Sequence, residues 1–332
     1  MAGTMSIAET SPARPSSSSM RASGILPYIV LRRLLQAIFV AWASFTLAFA
    51  ILYWLPGDPV AIMIGPDAHL DATELAKLRA QYGFDRPLIV QYLDALWRAV
   101  HLDFGTSLVT GKDVTASIAA AAPVTAGLAL VSLTLAIAFG TLFAVLSLDL
   151  PGFPRLGFIV SKFPAVFVAI PTFVVGLLLL QIFAFKLHWL PATGSKSWST
   201  LVLPAITLAV PGSGILGQVL AKSLRRAYAE SVVRTLRARG YSELRILRHA
   251  LRQASLPAFT MAGLIVGGTI ASSVVTETVF SRQGIGRLMQ MGVTNKDINL
   301  VCGLIVFSAL VYVVINLVVD LLYPVLDPRV KS

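Results

Sequence analysis

Charge is what this chain has least of. Asp, Glu, Lys and Arg make up 13% of its 332 residues, where a soluble domain carries about 25%. The scarcity is patterned. Six apolar blocks, 34–55, 121–148, 163–185, 201–221, 257–276 and 300–322, account for much of it. The first five contain no charged residue, and the last is uncharged until Asp320. An ionisable group at membrane depth costs about 2.5–3.5 kcal/mol and marks a coupling site. Its absence from the block centres, with Glu277 only at an edge, argues against a proton- or sodium-coupled transporter. It also argues against a membrane enzyme, which would need a polar cluster. A single cysteine, Cys302, excludes an internal disulfide. His69, His101, His188 and His249 are scattered, with none of the short spacings of a metal-ligand pair.

Nucleotide motifs are also missing. Gly212-Ser-Gly214-Ile-Leu-Gly217 has the letters of a dinucleotide fingerprint. It lies inside an apolar block after Pro211 rather than after a strand, so close helix packing is the expectation. Gly105 to Asp113 imitates a P-loop, but the spacing is one residue too long. Asp113 also stands where Ser or Thr must meet magnesium. No nucleotide hydrolysis is expected of this chain. Gly263-Leu-Ile-Val-Gly267 is a small-residue pair at helical spacing, which lets two helix backbones approach closely, within the chain or against a partner.

What is abundant is apolar sequence: 56% of residues, with a mean hydropathy of +0.78. Each block is about long enough to cross a bilayer as a helix. A segment in lipid must satisfy its own backbone, and a β-barrel would show alternation that these continuous blocks lack. The expectation is an all-α integral membrane protein with six spans. With the N-terminus inside, inner segments hold 17 Lys/Arg and outer segments 10, and the inner net charge is +11 against zero outside. The positive-inside rule then places both termini in the cytoplasm. Residues 1–24, rich in Ser, Ala and Pro without an apolar core, read as a disordered tail rather than a signal peptide. The transmembrane domain fills 25–332.

The outer loop 56–120 is long enough to fold. Asp71-Ala-Thr-Glu74 fits a capping box, and Gly83 ends the helix it opens. A second helix starts at Asp85-Arg86-Pro87, with Asp85 near the cap and Pro87 in the first turn. Leu88, Tyr92, Leu93, Leu96 and Val100 fall roughly on one face of it. Both helices are expected to lie along the membrane surface.

The inner loop 222–256 is the most informative segment. Between Lys222 and Pro257 stand nine Lys/Arg against two Glu, a net +7 of the chain's +11. Charge alone is a topogenic signal. It does not explain 35 residues where about five would connect two helices, nor a glycine midway. A helix–Gly240–helix corner presenting Arg237, Arg239 and Tyr241 would suit a docking element.

Val233-Arg234-Thr235-Leu236-Arg237-Ala238-Arg239-Gly240-Tyr241-Ser242, followed by Arg248-His249 and Leu256-Pro257, resembles the cytoplasmic "EAA" loop of ABC-importer permeases. The version it looks most like is that of the dipeptide/oligopeptide/nickel permease family. Leu55-Pro56-Gly57-Asp58-Pro59, Tyr82-Gly83-Phe84-Asp85-Arg86-Pro87, Ile170-Pro171-Thr172-Phe173, Trp189-Leu190-Pro191, Glu277-Thr-Val-Phe280 with Gly284-Ile-Gly286, and Leu326-Asp327-Pro328-Arg329 agree, in order. The resemblance covers about 25–330. It departs at two places. The Glu of the general pattern is absent near Arg234-Thr235-Leu236, and Arg282-Gln283 precedes Gly284 where an apolar, Pro-containing stretch is usual. The second departure falls on the outer side and bears on binding-protein contact or substrate entry.

The resemblance implies a type I importer permease, the first subunit of a heterodimeric pair, multi-pass in a prokaryotic inner or plasma membrane. It implies a second homologous permease, two ABC ATPases carrying ATP and Mg, and an extracytoplasmic binding protein delivering peptides or similar small solutes. No cofactor or metal on this chain and no nucleic-acid partner is implied. A coupling helix, about Leu236 to Arg248, would sit in a groove on an ATPase, with Gly240 permitting the turn and Pro257 starting the fifth span. Coupling contacts would come from Arg234, Thr235, Leu236, Arg237, Ala238, Arg239, Gly240, Tyr241, Ser242, Arg248, His249 and Pro257. Thr207, Ser213, Gln218, Thr269, Ser272 and Ser273 are the few polar candidates for a pore lining or for helix–helix hydrogen bonds. The competing readings are a self-sufficient facilitator, whose basic loop sets topology only, and a membrane scaffold or sensor.

Overall fold

Apolar segments that must satisfy their own backbone become helices, and the fold is helices joined by short turns. The computed structural model describes residues 22–54, 72–148, 154–195 and 197–326. The 1–21 part of the tail, Leu55-Pro56-Gly57-Asp58-Pro59, Asp71 of the capping box and Asp327-Pro328-Arg329 lie outside the described residues.

In chain order the helices are α1 (Ala22–Trp54), α2 (Ala72–Tyr82), α3 (Leu88–Val100), α4 (Val114–Leu146), α5 (Pro154–Val160) and α6 (Phe163–Ala169). There follow α7 (Thr172–Leu179, continuing as π-helix over Leu180–Lys186), α8 (Ser199–Ala229), α9 (Ser231–Ala238), α10 (Glu243–Val279), α11 (Ile285–Thr294) and α12 (Ile298–Leu326). Among the described residues, α1, α4, α8 and α12 are unbroken helices long and apolar enough to cross a membrane. Two bent helix pairs raise the number to six if each pair is one span.

The third apolar block is the main departure from six straight spans. Its helices turn through 103° between Ala169 and Thr172. Proline disfavours the helical conformation of the residue before it, and Ile170, before Pro171, is extended with ψ of 125°. The fifth block is one helix, α10, bent by 56° at Thr269–Ala271. That helix starts at Glu243 and carries Pro257 within it, so Pro257 does not open the span as expected. The second block likewise starts earlier, at Val114, where the Asp113 carboxylate accepts from the Ala116 amide at 2.6 Å.

Helix α8 is the centre of the bundle. Two-thirds of its most apolar stretch (67%) is buried, against 28–33% for α1, α4 and α12. Its glycines make this possible. A Cβ on Gly212 would stand 3.2 Å from Ala136 Cβ of α4, and one on Gly214 would meet the Pro164 carbonyl of α6 at 2.6 Å. The fingerprint-like glycines are therefore helix packing, as their position in an apolar block suggests. Gly263 and Gly267 of α10 serve the same end within the chain, against Val319 and Tyr312 of α12.

In the loop between the first two apolar blocks, Gly83 ends α2 at φ +74°, with the Phe84 amide donating to the Arg79 carbonyl at 2.8 Å. Pro87, not Asp85, occupies the cap position of α3, and no side chain caps that helix. The inward face of α3 is Tyr92, Ala95, Leu96 and Ala99, while Leu88, Leu93 and Val100 are exposed. The sequence pattern thus merges two apolar faces into one.

Candidate functional site

Helix α8 runs past its apolar stretch to Ala229. There Leu220, Leu224 and Ala227 pack with Ala144 of α4 and with Ala250 and Ala254 of α10. Small residues on α10 bring its first turns close to α8, and Arg225 ties the assembly to the end of α4 by donating to the Ser147 carbonyl at 3.4 Å. Glu230 is extended (ψ 151°) and breaks the chain into α9. Its carboxylate accepts from Gln253 Nε2 of α10 at 2.6 Å. Val233 and Ile246, both fully or almost fully buried, seat the corner on the bundle.

The turn between α9 and α10 is a closed helix C-terminus. The Gly240 amide donates to the Arg237 carbonyl (2.9 Å) and the Tyr241 amide to the Leu236 carbonyl (3.1 Å). This pair of bonds requires a left-handed residue, and Gly240 has φ +77°. Arg237 bridges the turn, Nε to Glu243 Oε1 at 2.9 Å and Nη2 to Oε2 at 3.3 Å. That bond pushes the already basic guanidinium further up, so Arg237 stays charged. The segment about Leu236 to Arg248 is thus a helix–Gly240–helix corner, the end of α9 and the start of α10 meeting at the glycine.

The outer surface of the corner is basic with an apolar edge. Arg234, Arg237, Arg239, Arg245, Arg248 and Arg252 are exposed, as are Thr235, Ala238, Ser242, His249 and Pro257. Leu236 is half-buried. Val232, Tyr241 and, above all, Leu244 at 76% exposure stand among the arginines, and the Arg245 guanidinium lies 5.9 Å from the Tyr241 ring. An apolar edge rimmed by guanidinium groups suits a protein groove with an acidic rim.

The polar residues singled out as pore candidates divide by burial. Thr207, Ser213 and Ser273 are inside the bundle, and Thr269 is nearly so. Thr207, Ser213 and Thr269 bond to carbonyls of their own helices, Leu203, Val210 and Ile265. Gln218 and Ser272 are exposed on this chain.

A second polar centre escaped the sequence reading. Glu277, placed at the edge of a span by sequence, is fully buried. Its Oε1 accepts from the Thr125 hydroxyl of α4 at 2.6 Å, and its Oε2 from the amides of Gly286 (2.8 Å) and Arg287 (3.2 Å). The Ile285 amide donates to Thr125 Oγ1 at 2.8 Å. A carboxylate and a hydroxyl from two other helices thus cap the start of α11, where orphan amides and the helix dipole favour an anion. Gly284 has no room for a Cβ beside that carboxylate. The signal in the sequence was Glu277 set before Gly284 and Gly286 by a helix end and a turn. Arg282 is buried too (3% exposed). It donates to the carbonyls of Gly194 (3.3 Å) and Thr200 (3.0 Å). It therefore holds the chain before α8 and is not the exposed contact expected of this departure from the family pattern. Only Gln283 beside it is exposed.

Residues 136–332 match the family described as binding-protein-dependent transport system inner membrane component, and residues 26–129 match the N-terminal family of the same systems. The chain belongs to this family of ABC-importer permeases, in its peptide/oligopeptide-type branch. Among its relatives is the glutathione transport system permease protein GsiC of Salmonella typhimurium, 35% identical over 305 residues. The protein of that name in Escherichia coli K12 is 34% identical over 307 residues. Each match covers 91% of this chain and 98% of the relative. A solved amino acid ABC transporter with histidines aligns at TM-score 0.46 and 14% identity, over 65% of this chain and 94% of that one. The chain is a membrane pore subunit of an ABC transporter and not an enzyme.

Proposed function

We propose that this permease translocates peptides or similar small solutes, and that its α9–Gly240–α10 corner is where ATPase motion enters the membrane. The carrying observation is the corner itself: two helices locked at Gly240, seated on the bundle by Val233 and Ile246, with Leu244 and the arginines left outside. Because α10 runs from the corner through Pro257 as far as its bend at Thr269–Ala271, a push at Leu244 tilts a span and not a loose loop. On this reading the corner is cytoplasmic, six spans cross a prokaryotic plasma membrane with both termini inside, and a second permease completes the pore. Two ATPases supply ATP and Mg, and an extracytoplasmic binding protein delivers the substrate. The GsiC relatives, named for glutathione, itself a small peptide, support a peptide-like substrate.

The test is a tagged purification from native membranes in mild detergent, with partners identified by mass spectrometry. Recovery of one second permease with one or two ATPases supports the assignment. A chain that runs alone or as a homo-oligomer, even after cross-linking, refutes it and favours a facilitator.

A further inference from the structure

Helix α3 has three faces, set by the 100° advance per residue of a helix. Tyr92, Ala95, Leu96 and Ala99 face inward, packing with Phe45 and Phe49 of α1 and the start of α12. Gln91, Asp94 and Arg98 face an open cleft of about 590 Å³, whose edge Trp97 also lines, and Asp94 is paired there with Arg86 at 3.1 Å. The remaining sector holds Ile89, Leu93, Trp97 and Val100, at 65%, 55%, 69% and 70% exposure. Their spacing of four, four and three makes one continuous apolar stripe. Both charged side chains of α3 are on the cleft side, and none interrupts the stripe.

The depth of α3 says what covers this stripe. The Tyr92 hydroxyl lies 2.8 Å from Thr46 Oγ1 and accepts from Trp42 Nε1 at 3.1 Å. Thr46 is two helical turns inside the end of α1 at Trp54, about 12 Å down the helix. Helix α3 therefore lies beside the membrane-spanning α1 and not above it. The exposed surface of α1 next to this contact is itself apolar, with Phe39 5.9 Å from Trp42 and Leu47 exposed at 62%. In a membrane permease that surface meets lipid or a partner span.

We propose that Ile89, Leu93, Trp97 and Val100 form a lipid-binding face. It seats α3 in the headgroup–acyl boundary of the leaflet at the Trp54 end of α1. A helix apolar on one side and polar on the other lies in that plane with its apolar side sunk, and an indole is favoured there because one edge is apolar and the other wet. The seating leaves the polar cleft facing water and fixes the whole outer loop relative to the spans. Loss of docking at the basic corner would leave it unchanged.

The test uses nitroxide labels on Leu93→Cys, Trp97→Cys and Asp94→Cys in the assembled transporter in lipid nanodiscs. Cys302 is buried and takes no label. At Leu93, collisions with oxygen should exceed those with a water-soluble nickel complex several-fold, the ratio should invert at Asp94, and Trp97, at the cleft edge, should fall between the two. Similar ratios at Leu93 and Asp94 overturn the proposal. So does low access to both reagents at Leu93, which would mean a protein interface there. Trp97 gives a label-free check, since acyl-brominated lipids should quench a fluorescence component that Trp97→Phe removes. Persistence of that component in the variant also overturns it.

Discussion

Replacing Glu277 with alanine should unlatch the start of α11. Two backbone amides, Gly286 and Arg287, lose their acceptor inside the protein. A buried donor left unsatisfied costs about 1–3 kcal/mol, so the pair costs about 2–6 kcal/mol. Thr125 loses a partner but keeps the Ile285 amide. Glu277→Gln separates the hydrogen bonds from the charge. Its carbonyl oxygen can stand at the Oε2 position and keep both amides. Its NH₂ then faces Thr125 Oγ1, which has a second lone pair to accept it. Charge assistance is lost and the Thr125 hydroxyl must turn its proton to another acceptor, so the glutamine variant should fall by about 1–2 kcal/mol, less than the alanine variant. The assay is amide hydrogen exchange at 285–288 in detergent-purified protein, with a thermal melt alongside. Exchange should accelerate sharply in the alanine variant and modestly in the glutamine variant. Unchanged exchange at Gly286 and Arg287 in Glu277→Ala would refute the capping role.

Four further variants have defined outcomes. Gly214→Val puts a branched side chain against the Pro164 carbonyl and Val168; overpacking of this kind costs about 1–3 kcal/mol or more, read as a lowered melting temperature in detergent. Arg282→Leu removes the donors to Gly194 and Thr200, so protease cleavage in the chain before α8 should rise while the protein still inserts. At Gly240 an added Cβ meets nothing within 4 Å, so Gly240→Ala costs only the left-handed strain, about 1–2 kcal/mol. Gly240→Pro cannot adopt that conformation and should uncouple uptake from ATP hydrolysis in proteoliposomes without blocking insertion. Normal uptake by the proline variant would count against the coupling role.

The architecture was largely legible because membrane helices announce themselves through composition. The Gly240 break was legible for a local reason: a helix closed by a left-handed residue wants glycine. The 103° bend at Ile170-Pro171 was written there as well, but an unbroken apolar block masked it, since hydropathy is blind to backbone direction. Pro257 misled in the opposite sense. A proline at the start of an apolar block looks like a helix start, yet α10 begins at Glu243 and carries it through. Glu277 was read as an edge residue and Arg282 as an outer-side one because one-dimensional position says nothing of the segments that fold over them. Their burial depends on Thr125 and Gly194, more than 80 residues away in sequence. The α3 stripe was half visible: alternation at helical spacing located apolar residues but could not divide those facing α1 from those facing outward.

The measurement that bears most directly on the coupling claim is photo-cross-linking from position 244 in native membranes. A photoreactive amino acid replaces Leu244, the most exposed apolar side chain of the corner. Adducts are then mapped by mass spectrometry, with Leu264, an exposed residue of α10 within its apolar stretch, as the control. The expected result is an adduct to an ATPase subunit from 244 and none from 264. Adducts from 244 only to lipid, to the second permease or to nothing would contradict the claim that this corner receives the ATPase.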